Sequence, residues 1–393
     1  MKKLIIASAA AAVSASVFAG LYGDTPDAKH AWAVHDWNRP KPVKVCAEPG
    51  KPPSDAVVLF DGTKESFDKN WCDSKGNPTQ WKLGSEGDFY CVPEWKNGGD
   101  IYTRASFGDC QLHLEYRHDK DINEHGRGPQ MRGNSGVFLM GNYEIQVLES
   151  FYTQKDECKV DNYTDGQAGA VYAENPPMVN PQRKPGEWQT YDIIFHQPVW
   201  EGNKLLHPGS VTLLFNGVLV QDHWEMEGLT THCRRRPLAP HAPKGQLHFQ
   251  DHGCPVHFRN IWIREIPSRW ANTTHSVMSA KEADVMALRL DTAKKLLAKI
   301  DLTKSGAEQV NQAYEVISYS TDPSVLEPCK KIFGDYRAKL EAMDDAALEK
   351  AKGEILGIKR SVDVLHRNKV ALNCALCKKV LEVVEKKGWN KKK

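Results

Sequence analysis

The sequence has almost no excess of charge of either sign: 52 Lys and Arg stand against 50 Asp and Glu over 393 residues, a formal net charge of +2. That removes any whole-chain electrostatic reason to expect nucleic acid and favours a neutral partner. Long apolar runs are missing after residue 18; none approaches the roughly 18 residues needed to cross a bilayer, so no membrane span is expected. The apolar stretch Leu4 to Phe18 follows Lys2 and Lys3 and leads to Val17-Phe-Ala19, a small-residue cleavage pattern. Residues 1–19 therefore read as a signal peptide, and the mature chain is expected from Gly20, periplasmic or secreted. No Cys stands at the cleavage point, which argues against a lipid anchor.

Cysteine is present ten times, an even number that fits an oxidising compartment and disulfides whose connectivity is not readable. Cys374-Ala-Leu-Cys377 has the spacing of a redox or metal half-site. It lacks a second pair nearby, and Lys378 stands where c-type haem attachment needs His, so it reads as a disulfide-related or helix-packed pair.

Residues 20–54 carry Pro40, Pro42, Pro49, Pro52 and Pro53 with little periodicity, an extended leader whose Trp32 and Trp37 are expected on the surface of the main domain. From residue 55 to 267 short apolar runs alternate with turn signals, the pattern of an all-β sandwich. Gln111 to Arg117 alternates cleanly, and Asn216-Gly217 between two apolar runs marks a hairpin. Strands are expected at Val57 to Phe60, Trp81 to Leu83, Phe89 to Val92, Gln111 to Arg117, Gly136 to Met140, Tyr143 to Leu148, Ala170 to Tyr172, Gln189 to His196, Ser210 to Phe215, Val218 to Trp224, Gly245 to Gln250 and Val256 to Glu265. That many antiparallel strands need two stacked sheets. Residues 268–393 shift to helical stripes, at Ala280 to Ile300, Gln309 to Ile317, Val325 to Leu340, Ala346 to Ile358 and Ser361 to Val384, with Pro323 and Pro328 punctuating the connections and a basic tail.

Chemistry concentrates in two places. If Tyr143 to Leu148 is extended, Glu144 and Gln146 share one face while Ile145 and Val147 enter the core. The neighbouring Arg132-Gly-Asn-Ser-Gly136 offers glycines for close approach and polar side chains for hydroxyls, the chemistry of a sugar site. Two polar residues facing solvent from a half-buried strand remain the alternative. The second place is His248-Phe-Gln-Asp-His252, where His248 and Gln250 share a face and Asp251, His252 and Gly253 form a bend. Imidazole and carboxylate suit a divalent metal, with His248, Asp251 and His252 as candidate ligands; a hydrogen-bonded polar face without metal fits equally.

These residues carry a resemblance. Val58-Leu-Phe-Asp-Gly62, Arg132-Gly-Asn-Ser-Gly-Val137, Tyr143-Glu-Ile-Gln-Val-Leu-Glu149, Gly169-Ala-Val-Tyr172, Pro185-Gly-Glu-Trp188, Leu214-Phe-Asn-Gly217 and Leu247-His-Phe-Gln-Asp-His-Gly253 with Phe258-Arg-Asn-Ile261 follow the order found in the 3-keto-disaccharide hydrolase family. The chain resembles that family over about residues 55–267. The resemblance implies a concanavalin A-like jelly-roll sandwich of the lectin and glucanase type, here with a C-terminal α-helical extension, acting on a glycoside or oligosaccharide oxidised to a ketone at carbon 3. Carried over, the catalytic set is Glu144, His248, His252 and Arg132, and the substrate-binding set Asn134, Ser135, Gln146, Gln250 and Glu149. Glu149 replaces an Asp frequent in the family. A base, an acid for the leaving oxygen and an enolate stabiliser are needed: Glu144 or His248 for the first, His252 for the second, Arg132 or a divalent metal for the third. Two rivals stand beside this reading. One is a retaining glycosidase of the laminarinase-like type, which Gln146 in place of a middle Asp weakens. The other is a carbohydrate-binding module without catalysis, using some of the 11 Trp as platforms.

Overall fold

A computed structural model describes residues 23–92, 99–122, 129–151, 163–267, 278–368 and 374–390. The expected signal peptide, Cys158 and residues 391–393 of the tail lie outside them. The chain divides into two units, Val43–Ala271 and Met1–Pro42 with Asn272–Lys393.

The first unit is an antiparallel sandwich of the jelly-roll type. Its strands in chain order are β1 (Val57–Phe60), β2 (Trp71–Cys72), β3 (Lys82–Leu83), β4 (Phe89–Tyr90), β5 (Ile101–Phe107), β6 (Cys110–His118), β7 (Ser135–Leu139) and β8 (Tyr143–Val147). They continue as β9 (Gln189–His196), β10 (Val199–Glu201), β11 (Lys204–His207), β12 (Ser210–Phe215), β13 (Val218–Glu225), β14 (Gly245–Phe249) and β15 (Val256–Glu265). One sheet runs β13-β12-β9-β6-β15-β4-β3, with β1 also on β15; the other runs β2-β5-β14-β7-β8. Alternation drives the packing: along β6 each buried residue is followed by a half-buried one, so Leu112, Leu114 and Tyr116 point to the other sheet.

Aromatic rings fill the space between the sheets. Phe249 of β14 stacks on Phe258 of β15 with centroids 4.5 Å apart, and Trp71 of β2 meets Phe89 of β4 at 5.2 Å. The hydroxyl of Tyr191, on β9, crosses the core to donate 2.8 Å to the carbonyl of Gln146 on β8. That bond satisfies a buried phenol and ties the sheets together where the polar strand lies.

Two hairpin turns take the left-handed backbone that matches strand twist. Asn216 and Gly217 have φ of 49° and 77°; between β7 and β8 the central residues are Met140 and Gly141, with φ of 53° and 71°. The sequence also misplaces a strand at Ala170 to Tyr172, where only Val171 forms an isolated bridge to Ile145. Strands β2, β5, β10 and β11 and the helix α1 (Lys64–Asn70) are not anticipated. In β5 the pattern is spoiled because Arg104, Ala105 and Ser106 are exposed in succession.

The second unit holds α2 (Met278–Leu297), α3 (Ala307–Tyr319), α4 (Pro323–Glu341), α5 (Asp345–Lys350), α6 (Lys352–Arg367) and α7 (Ala375–Lys386). Asp322 caps α4 through Ser324 N, and Asp344 caps α5 through Ala347 N. Pro323 opens α4, whereas Pro328 lies inside it. The expected helices 346–358 and 361–384 divide elsewhere, at Ala351 and after Arg367. Part of the leader belongs here: Ala33 joins the helical core, Trp32 packs against it, and Asn38 Nδ2 donates to Glu315 Oε1 at 2.7 Å and Tyr319 Oη at 3.1 Å. Trp37 is 69% exposed.

Phe89 has ring neighbours in Phe60, Phe67, Trp71, Trp81, Phe249 and Phe258. Phe89→Ala is expected to cost about 3–5 kcal/mol of sandwich stability, read from denaturant unfolding; a loss within ~0.5 kcal/mol of zero would contradict this packing.

Candidate functional site

The five-stranded sheet turns one face to the core and presents even-numbered residues on the other. Register aligns them in a row: Tyr102 pairs with His248, His248 with Phe138, and Phe138 with Glu144. Four strands, β5, β14, β7 and β8, thus each give one side chain to a single line. Their inward neighbours Ile101, Phe249, Val137 and Ile145 are buried in the core.

His248 lies between two rings, stacked on Phe138 at 4.2 Å and 13° and tilted against Tyr102 at 4.7 Å. Its Nε2 is 3.6 Å from Asp100 Oδ2, while Nδ1 is buried with no hydrogen-bond partner among the described residues. Burial in this apolar sandwich pushes the imidazole down to about 4, so it is neutral near pH 7. Asp100 is itself raised, first by burial; it accepts from Asp251 N at 2.9 Å, bonds Tyr102, and is opposed by the Asp251 carboxylate.

Glu144 is 3% exposed, and its carboxyl sits over Gly136, where an added Cβ would lie 2.4 Å from Oε1. Its backbone is fixed by N–H donation to Thr230 Oγ1 at 2.8 Å and by Tyr172 N donating to its carbonyl at 3.1 Å. Burial, then repulsion from Asp100, pushes this carboxyl up to about 8, so it stays largely protonated near pH 7.

The other residues expected at the site lie beyond the row, on or next to β7, β8 and β14. Gln146 Nε2 donates to Asn134 Oδ1 and to the carbonyls of Ser135 and Val147. Asn134 donates to the Gln130 carbonyl and Ser135 Oγ to that of Gln250. Arg132 pairs with Glu149 at 3.3 Å, the carboxylate fully buried, and Glu149 Oε1 also accepts from Phe151 N. Five of the expected residues therefore form a buried polar framework behind the row. Gln250 and His252 are half-buried; burial lowers the His252 pKa, and His232 adds to that.

Sequence reasoning missed Asp100, Tyr102, Phe138, Tyr172 and His232. The alternation that exposes Glu144 would have flagged Asp100 and Tyr102 had β5 been recognised. Tyr172 Oη meets His232 Nδ1 at 2.8 Å and Tyr163 Oη at 3.1 Å. It also borders two neighbouring clefts of ≈ 270 and ≈ 390 Å³, both lined by Arg234 and Arg235. Among the described residues no three His, Cys, Asp or Glu side chains converge to hold a metal ion, so His248, Asp251 and His252 do not form such a group.

The family described as the 3-keto-alpha-glucoside-1,2-lyase-like domain matches residues 55–264. The chain belongs to this family. A solved candidate glycosyl hydrolase from Parabacteroides distasonis is 34% identical, with TM-score 0.52, covering 60% of this chain and 98% of that one. Two more candidate glycosyl hydrolases from that organism are 20% and 21% identical with TM-scores of 0.39, each covering 54% of this chain and 94% and 99% of theirs. No curated protein matches the chain. In this member of the 3-keto-alpha-glucoside-1,2-lyase-like family, the candidate site is the row on the five-stranded sheet.

Two measurements check this geometry. Arg132→Ala leaves the buried Glu149 without its cation and is expected to cost about 3–5 kcal/mol of stability; an unchanged unfolding midpoint would place Arg132 outside the framework. For Glu144 the folded pKa is raised, so the folded state holds the proton that the unfolded state loses. Its contribution is fully present below the unfolded value near 4.3 and is lost as pH rises to about 8. Glu144→Gln removes that loss, so the Tm of the variant minus that of the parent should grow between pH 4 and pH 8; a constant difference would contradict a buried, protonated carboxyl.

Proposed function

We propose that the protein is an exported carbohydrate-active enzyme that cleaves 3-keto-glycosides by elimination followed by hydration. The observation that carries this reading is the row itself, in which an acid held protonated and an imidazole held neutral flank Phe138 on one face of a family domain. Two titratable groups pushed in opposite directions are the usual mark of paired acid and base roles.

A ketone at carbon 3 acidifies the hydrogen at carbon 2. His248 takes that proton, and the Asp100 carboxylate, 3.6 Å from its Nε2, steadies the imidazolium. The electron pair left behind forms an enolate between carbons 2 and 3. Glu144, neutral and buried, donates a hydrogen bond to the enolate oxygen, where a charge-neutral donor in a dry site is most effective. The ketone then re-forms, a double bond closes between carbons 1 and 2, and the substituent at carbon 1 departs, its oxygen taking the proton from the His248 imidazolium and leaving the base neutral again. Water adding across the new double bond completes the net hydrolysis. Arg132 is engaged by Glu149 at 3.3 Å, which supports Glu144 rather than Arg132 as the enolate donor. The same pairing counts against a retaining glycosidase, which needs a second carboxylate about 5–5.5 Å from the first and open to the sugar. Export rests on residues 1–19; N-terminal sequencing of the secreted protein should begin at Gly20.

The test is release of the aglycone from a 3-keto glycoside and from its unoxidised parent. Release from the keto form alone is expected, with a bell-shaped rate profile whose limbs fall near about 4 and about 8. His248→Ala should lower kcat by about 10²–10⁴-fold. Cleavage of the parent glycoside at a comparable rate would sink the elimination route, and a persisting acid limb in His248→Ala would remove His248 as base.

A further inference from the structure

The helical unit carries a second reactive constellation that the sandwich chemistry does not use. Cys374 is the N-cap of α7, and its sulfur accepts from the backbone N–H of Cys377 at 3.3 Å. The Cys377 sulfur lies 2.8 Å from that of Cys374, and the Tyr314 hydroxyl from α3 reaches them at 3.2 Å and 3.7 Å respectively. Cys374 is half-buried and Cys377 is 2% exposed. Both are free thiols here.

The two sulfurs are not equivalent. The Cys374 sulfur gathers the Cys377 thiol, the Cys377 N–H and the Tyr314 hydroxyl, and is held below the usual thiol range, by the Cys377 thiol first. The Cys377 thiol, beside that thiolate and buried, is raised. Cys329 is the contrast: burial alone pushes it up to about 12, as expected of a thiol that only packs.

We propose that Cys374 and Cys377 are a redox-active dithiol that exchanges with a disulfide R–S–S–R, Cys374 as the attacking sulfur and Cys377 as the resolving one. The Cys374 thiolate attacks one sulfur of R–S–S–R, forming a Cys374–S–S–R bond and expelling RS⁻. The Cys377 sulfur, giving its proton to that thiolate, then attacks Cys374, closing the Cys374–Cys377 bond and expelling the second RS⁻, which is protonated from solvent. The dithiol loses two electrons and two protons, and R–S–S–R becomes two RSH. Closure moves the sulfurs from 2.8 Å to about 2.05 Å, a displacement within the first turn of one helix.

The test uses the full chain in buffers of graded reduced and oxidised glutathione, acid quenching, alkylation of remaining thiols and mass analysis of the tryptic peptide 370–378, which holds both residues. As the oxidised form increases, this peptide should lose two hydrogens and both alkyl groups. Cys377→Ser should trap glutathione on Cys374, whereas Cys374→Ser should trap roughly tenfold less on Cys377. Tyr314→Phe should slow alkylation of Cys374 at neutral pH. A peptide doubly alkylated at every ratio, under conditions that modify the exposed Cys46 and Cys233, would overturn the proposal; so would faster alkylation of Cys377 than of Cys374 in the parent chain. The parent-chain readouts need no variant to fold.

Discussion

Between the two sheets, Phe249 and Phe258 stack at 4.5 Å, with Phe89 and Trp71 packed around them, and the polar site is the other side of that contact. Side chains on a strand alternate, so seating Phe249 in the core sends His248 outward, and seating Ile145 and Val147 sends Glu144 and Gln146 outward. The hydrophobic packing of odd-numbered residues therefore aims the even-numbered ones. Tyr191 extends the same logic, since its hydroxyl crosses the core to hold the backbone of the strand that carries Glu144.

That dependence explains what could be read from the sequence. Strands with clean alternation, such as Cys110–His118 and Gln189–His196, are legible because a period of two is a local property. So are Glu144 and His248 as outward residues of their strands. Their neighbours are another matter, because Tyr102 and Phe138 meet His248 through lateral register, and Asp100 meets it from the residue before β5, contacts that link residues more than a hundred positions apart. The ionisation of Glu144 is equally unreadable, for it comes from the depth of the seat over Gly136 and the nearness of Asp100. Arg132 and Glu149 look like site groups in the sequence because burial of an ion pair leaves no local signature.

The two units handle titratable groups by opposite means. In the sandwich, His248 and Glu144 are shifted by withdrawal from water, which favours their neutral forms. In the helical unit, Cys374 is shifted by donors that converge on its sulfur, which favours its charged form. The first arrangement suits proton transfer at carbon and the second suits nucleophilic attack.

Gly136 has a further consequence, for the folding of the β7–β8 hairpin. A slip of the two strands by two residues would keep every apolar side chain inside, so burial alone does not discriminate against it. The native pairing sets Gln146 opposite Gly136 and leaves space above that glycine for the Glu144 carboxyl, whereas a slipped pairing would separate the acid from its seat. The left-handed Met140-Gly141 turn and the missing side chain at position 136, whose space the Glu144 carboxyl fills, both match the native pairing, which burial alone would not select.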